Sequence, residues 1–339
     1  MTDSPFDCFG SDDECDSISS NKSNSNPQKI NNSTTRDKSC GVLAFHPNTE
    51  HSLLMHVKNT VSVRPDNMLP CKHVLDEVDS YCEKRHWMMH VGPEKGVIIQ
   101  ETLQNAMEQK QKQKQKQKQK QKQKQKQKQK QKQKKGCSSD NKFIAVELGT
   151  YCGYGSIFLS SMMKLHEERY KDIHFNLFTV EINPEFSAIA REMIEIAQVD
   201  DIVTVLDNDL WMDGTTGHVG DLVKSAMVEK YGDDGIDMGI DFLMIDHDKS
   251  SYLSDLKRLE GSGLIRCGTV VAADNVIFAS IHDYIDYMQG LDEQGVVKTC
   301  TREASLEYCS PDVEKEGYTE QFFKDGVEIT EYLKDPLVN

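Results

Sequence analysis

No apolar run in this chain of 339 residues reaches the roughly 18–20 residues that cross a bilayer. The start, Met1 to Asp16, is acidic and polar, without the basic residues and apolar stretch of a secretory signal. The 10 cysteines include no Cys-x-x-Cys pair. The spacing of a structural zinc site is therefore missing, and without a signal the cysteines read as reduced thiols. These absences predict a cytoplasmic protein that does not engage a membrane. Positive charge is also short: the net charge is −15, although fourteen lysines are packed into one repeat. The remainder is more acidic still, which disfavours nucleic acid and anionic membrane as partners.

Hydrophobic residues make up 37% of the chain, but the shortfall is confined to two stretches. Residues 1–45 are rich in Ser, Asn and Asp, too polar to offset their ordering entropy, and are expected to form a disordered tail. Gln109 to Lys135 is a near-perfect Gln-Lys alternation with no apolar stripe at any period. It is expected to project into solvent as part of a low-complexity insertion over 109–140. Two readings of it stand: a polycationic tether for acidic partners, or an expanded repeat tolerated because lengthening a loop costs little free energy. What is left, 46–339, is long enough for one large α/β domain, interrupted by that insertion.

Within the domain, Leu69, Val74, Leu75 and Val78 predict a helix over Met68 to Tyr81, with Pro70 near its start. Val97, Ile98, Ile99, Leu103 and Met107 predict another over Gly96 to Glu108. Between them lies an aromatic and thioether-rich turn, His86-Trp-Met-Met-His-Val-Gly92. From Lys142 short apolar runs recur, each ending in a polar residue: Phe143–Val146 before Glu147, Phe175–Val180 before Glu181, Ile202–Leu206 before Asp207, Phe242–Ile245 before Asp246, and Thr269–Ala273 before Asp274. Helical stretches such as Glu185 to Ile196 separate most of them. Buried strands alternating with helices indicate a Rossmann-like, mostly parallel sheet with helices on both faces. Val296–Thr301, Ser305–Cys309 and Gly326–Leu333 predict a C-terminal antiparallel hairpin.

Open α/β sheets bind ligands beyond the carboxyl ends of their strands, and here those ends carry the chemistry-bearing residues. The first is Glu147-Leu-Gly149-Thr-Tyr-Cys-Gly153-Tyr-Gly155, running into a helix near Ser156. Its glycines admit a close backbone approach to a ligand, or make a tight strand-to-helix turn. The spacing Gly-x-x-x-Gly-x-Gly is not the dinucleotide Gly-x-Gly-x-x-Gly, which weighs against a dehydrogenase. Glu181 is placed to accept both ribose hydroxyls, or to sit as an acidic residue at a helix start. Asp246-His-Asp-Lys249 and Asp274-Asn275 follow the next two strands. Two carboxylates and an amide make an all-oxygen set suited to a hard cation such as Mg²⁺; alternatively the two aspartates cap the following helices. His247 fits such a set poorly and is placed beside the cofactor base instead. Lys249 is the candidate general base, because burial and a nearby divalent cation both lower a lysine pKa.

These stretches together resemble the catechol O-methyltransferase family. The resemblance rests on Trp87-Met-Met89-His-Val91-Gly, Glu147-Leu-Gly-Thr-Tyr-Cys-Gly-Tyr154, Glu181-Ile-Asn-Pro, Asp246-His-Asp-Lys249, Leu264-Ile-Arg-Cys-Gly-Thr-Val-Val-Ala-Ala-Asp-Asn-Val276 and Ser305-Leu-Glu-Tyr308, in the family's order. It implies the S-adenosylmethionine-dependent methyltransferase fold. It also implies Mg²⁺-dependent transfer of a methyl group from S-adenosylmethionine to one hydroxyl of a catechol, by a monomer. Met89, Val91, Glu147, Gly149, Tyr151, Gly153, Ser156, Glu181, Ile182, Asp246 and His247 would line the S-adenosylmethionine site. Asp246, Asp274 and Asn275 would hold Mg²⁺, and Lys249 would take the proton. Trp87, Lys249, Asn275 and Glu307 would bind the catechol. The chain departs from the family at Asp248, where an aromatic residue is usual, and at Gly155, in place of a serine. It departs again at Ala279, in place of a proline, and at Cys309, in place of a methionine. Those changes bear on the substrate more than on the reaction. Rival readings are a caffeoyl-coenzyme A type O-methyltransferase and a catalytically inactive S-adenosylmethionine-binding protein.

Overall fold

The computed structural model describes residues 48–127, 141–207, 218–307 and 324–336. The polar tail over 1–45, the end of the Gln-Lys insertion and Cys309 lie outside the described residues. The elements run α1 (Thr49–Thr60), α2 (Pro70–Lys84), α3 (Gly92–Gln127), β1 (Lys142–Leu148), α4 (Tyr154–His166), β2 (His174–Glu181), α5 (Pro184–Ile196), β3 (Val203–Asp207), α6 (Val219–Tyr231), β4 (Phe242–Ile245), α7 (Tyr252–Gly261), β5 (Val270–Ala273), α8 (His282–Glu293), β6 (Val297–Ser305) and β7 (Lys324–Tyr332).

The strands form one sheet in the order β3-β2-β1-β4-β5-β7-β6. β1 to β5 are parallel, and β7 runs antiparallel to both β5 and β6. The apolar runs become the central strands because both faces of the sheet are covered. Phe143, Ala145, Leu177, Phe242 and Met244 point into a core shared with α1 to α5. Their alternates Ile144, Val146, Phe178, Leu243 and Ile245 point into a second core with α6, α7 and α8, as the two-residue period of a strand requires. Strand order reverses between β1 and β4, the switch point at which such sheets open a crevice. Local chemistry fixes the helix entrances: Asn183 caps α5 by accepting from the backbone N–H groups of Glu185 and Phe186, with Pro184 in the first turn.

Three features differ from the sequence reading. α1 was not anticipated, since only a few apolar residues such as Leu53, Leu54 and Val57 face the core. β6 is one strand through Ser305, and Leu306 and Glu307 leave it; Tyr308 and Cys309, the end of the second expected strand, lie outside the described residues. β6 lies at the sheet edge, where exposed and half-buried side chains alternate and the apolar signal is weak. Above all, the Gln-Lys alternation does not leave the body at Gln109: α3 runs on through it to Gln127. Its first turns are pinned by charge instead of apolar packing. Lys110 pairs with Asp241 at 2.8 Å and Lys118 with Asp172 at 2.6 Å; Lys114 donates to the Asp172 carbonyl. Lysines four apart share a helix face, so an alternating repeat offers one row of ammonium groups to these aspartates. Among the described residues no helix is long and apolar enough to cross a membrane.

Candidate active site

The loop after β1 packs tightly onto the end of β4. Gly149 has φ 99°, and a Cβ there would lie 2.2 Å from the Asp246 carbonyl oxygen. Gly153 has φ 89°, and a Cβ there would lie 3.3 Å from the Ala190 Cα of α5. Both glycines are thus required by the turn itself. Glu147 is buried, accepting from Thr179 Oγ1 at 2.7 Å and from Ser156 Oγ. The second carboxylate oxygen stands where a Cβ on Gly155 would meet it. Burial pushes the Glu147 carboxyl up to about 8, against the opposing Ser156 and Thr179 hydrogen bonds.

That shift has a testable sign. A carboxyl whose folded pKa lies above its unfolded value holds an extra proton in the native state. Stability therefore falls as pH rises through the window from the ordinary carboxylate range to about 8. Glu147→Gln keeps an acceptor for both hydroxyls but cannot ionise. Its urea midpoint is expected to vary less with pH across that window than the wild-type midpoint; parallel pH profiles would mean that Glu147 is already ionised in the fold.

Glu181, at the end of β2, accepts from the backbone N–H of Tyr151 at 2.7 Å and of Asn183 at 2.9 Å. Burial raises its pKa, while those backbone bonds oppose the shift. Tyr151 has φ 47°, and its hydroxyl donates to Glu50 of α1 at 2.7 Å. Its ring lies 5.3 Å from His90, which stacks on Tyr154 at 5.2 Å. Burial lowers the His90 pKa to about 3, so this imidazole packs as a neutral ring. Val91 is buried, whereas Met89 and Ile182 are exposed. His247 stacks on Tyr252 at 5.2 Å, with Nε2 2.9 Å from Asp255.

Beyond β4 and β5 the remaining site residues form one polar network. Lys249 Nζ donates to Asp246 Oδ1 at 2.7 Å and to the Tyr252 hydroxyl at 2.8 Å. Tyr252 donates in turn to the Asp274 carbonyl at 3.1 Å. Asn275 has φ 58°, and its Nδ2 donates to Asp325 at 2.7 Å. Lys95 Nζ lies 2.9 Å from Asp274, 2.7 Å from Glu307 and 2.9 Å from Asp325. Burial pushes the Lys95 pKa down, but Asp274, Glu307 and Asp325 more than offset it and hold the ammonium charged. Burial raises Asp274 to about 7, opposed by Lys95 and reinforced by Asp246; burial raises Glu307 likewise. Trp87 donates its indole N–H to the Glu307 carbonyl at 3.1 Å. The aspartates thus gather at the strand ends instead of capping helices; Asp248 is the one that caps, accepting from Ser250 N at 3.2 Å and Ser250 Oγ at 2.6 Å. Ala279 packs against the second core.

Lys95, Asp325 and Tyr252 were not singled out from the sequence. Tyr252 stands three residues after Lys249 in a helix start, a spacing that could have flagged it. Lys95 and Asp325 left no such signal. Among the described residues no three His, Cys, Asp or Glu side chains are grouped as metal ligands; two aspartates with one asparagine fall outside that composition.

The comparisons with known proteins agree with this architecture. A family described as a methyltransferase domain matches residues 146–276, from within β1 to just past β5. Catechol O-methyltransferase of Sus scrofa is 34% identical over 147 residues, covering 43% of this chain and 67% of the relative. That of Bos taurus is 30% identical, covering 71% of this chain and 66% of its own. Catechol O-methyltransferase B of Danio rerio is 27% identical, over 74% of this chain and 76% of its own. By its domain and its relatives the chain is an S-adenosylmethionine-dependent methyltransferase, and it belongs to the catechol O-methyltransferase family.

Proposed function

We propose that the chain transfers a methyl group from S-adenosylmethionine to one hydroxyl of a catechol, with Mg²⁺ held by Asp246, Asp274 and Asn275. The observation that carries the reading is the network joining Lys249, Asp246, Asp274, Asn275 and Glu307 at the strand ends. The donor set suits Mg²⁺, which prefers hard oxygen ligands. Asn275 spends an N–H on Asp325, leaving Oδ1 as its acceptor. Formally, four carboxylates (Asp246, Asp274, Glu307, Asp325) against two ammoniums (Lys95, Lys249) leave two negative charges, which one divalent cation balances.

S-adenosylmethionine supplies a sulfonium methyl, and Mg²⁺ supplies Lewis acidity that orients a vicinal diol and eases ionisation of its hydroxyl. The chain does the rest. Glu181 takes the ribose hydroxyls on a carboxylate already stiffened by two backbone N–H groups. Gly149, Gly153 and Ser156 shape the loop beside it, Glu147 braces that loop, and Met89, Val91, Tyr151, Ile182 and His247 enclose the remainder of the cofactor. Lys249 removes the proton from the reacting hydroxyl; Asp246 and Tyr252 aim its Nζ. Glu307 accepts from the second hydroxyl. Trp87, tied to the Glu307 backbone, walls the ring. Holding both reactants in register could contribute roughly 7–11 kcal/mol of barrier reduction.

The test is transfer of labelled methyl from S-adenosylmethionine to catechol, with Mg²⁺ and with a chelator. Turnover is expected with Mg²⁺, to vanish on chelation and to return with added Mg²⁺. Transfer that persists in chelator would remove the metal from the reading. Cofactor binding without transfer to any vicinal diol would favour a binding protein.

A further inference from the structure

Lys95 stands in the first turn of α3, yet its side chain is 0% exposed. Two costs attend that position. A helix N-terminus carries partial positive charge and disfavours a cation, and a buried ammonium loses several kcal/mol of hydration. What offsets them is three surrounding carboxylates: Lys95 donates to Asp274 and Asp325 and forms an ion pair with Glu307. Asp274 comes from the end of β5, Glu307 from the residues after β6, and Asp325 from β7. Asp325 passes the constraint on: its Oδ2 also accepts from Asn275 Nδ2, and its Oδ1 accepts from Phe278 N at 3.2 Å. One ammonium therefore links the carboxylate assigned to the substrate with two of the three residues assigned to the metal.

We propose that Lys95 is a positioning residue that holds Glu307 in register with Asp274 directly and with Asn275 through Asp325; this rests on the site's being a Mg²⁺-dependent catechol methyltransferase. Like charges brought this close separate unless a cation stands between them. With Lys95 in place, the carboxylate that receives one catechol hydroxyl keeps a constant offset from the groups that hold the ion. Lys95 needs to touch neither substrate nor cofactor for this. The cofactor-side groups, Glu181, Tyr151 and His247, lie outside its three contacts.

The experiment compares full-length wild type, Lys95→Met, Lys95→Arg, Glu307→Gln and the Lys95→Met/Glu307→Gln double variant. For each it measures S-adenosylmethionine affinity and Mg²⁺ affinity by calorimetry, then catechol KM and kcat. Lys95→Met is expected to weaken Mg²⁺ about 10–100-fold, the usual cost of losing a partner behind the ligands, and to raise catechol KM. Cofactor affinity should stay at the wild-type value. At saturating Mg²⁺ the double variant should match Glu307→Gln in KM within about twofold, because both changes break the Lys95–Glu307 link. Lys95→Arg keeps the charge but not three diverging donors, and should fall between wild type and Lys95→Met in Mg²⁺ affinity; it carries the test if Lys95→Met does not fold. Tighter or unchanged Mg²⁺ binding by Lys95→Met, a KM effect that multiplies with Glu307→Gln, or Lys95→Arg equal to wild type would each overturn the proposal. Wild type that shows no Mg²⁺-dependent methylation of catechol would sink the underlying reading, a result separable from any variant's behaviour.

Discussion

Lys249→Ala is expected to lose about 10²–10⁴-fold in kcat, the range over which a positioned general base contributes, while binding S-adenosylmethionine as tightly as wild type. The asymmetry follows from the geometry. Lys249 Nζ is held by Asp246 Oδ1 and the Tyr252 hydroxyl. The polar groups assigned to the cofactor ribose lie beyond β1 and β2, with Glu181 fixed by the backbone of Tyr151 and Asn183. Lys249→Arg should not rescue turnover, since a guanidinium stays protonated throughout the working range. Single-turnover kinetics with titration of the cofactor separates the two effects. Equal loss of turnover and cofactor affinity would assign Lys249 to binding and leave the base unidentified.

Gly149→Ala is expected to cost the fold several kcal/mol. An added Cβ meets the Asp246 carbonyl oxygen at 2.2 Å and the His247 nitrogen at 2.9 Å, both backbone atoms, at φ 99°. Strain in that region costs about 1–3 kcal/mol and overpacking about as much again. Against a typical stability of about 5–15 kcal/mol that is a large share. Gly261→Ala is the control: it ends α7 with nothing within 4 Å of the new Cβ, so it should change stability by less than about 1 kcal/mol. Urea unfolding of both variants decides the matter. If Gly149→Ala unfolds at the Gly261→Ala midpoint, the loop is not locked onto β4, and its glycines answer to a ligand alone.

The strands were legible because a sheet covered on both faces leaves continuous apolar runs. Phe143–Val146, Phe175–Val180 and Phe242–Ile245 each lie inside an observed strand. Their polar endings mark Glu147, Glu181, Asp246 and Asp274 as strand-end residues from the sequence alone. α1 and the outer part of β6 were not legible. A helix that buries one narrow stripe, and an edge strand open to solvent on one side, carry too little apolar pattern to stand out. The Gln-Lys stretch misled for a related reason. Periodicity reports apolar anchoring, whereas the attachment of Lys110 and Lys118 is ionic, to aspartates more than fifty residues away.

Local runs and short spacings encode the class of sheet, the order of the strand-end residues and the residue types available for methyl transfer. The assembly of the sheet is what makes Lys95, in the first turn of α3, the buried cation among Asp274, Glu307 and Asp325. Its partners Asp274 and Asp325 lie 179 and 230 residues along the chain. Attraction between charges depends on distance in space, and no local pattern records which distant carboxylates the folded sheet will bring to one ammonium.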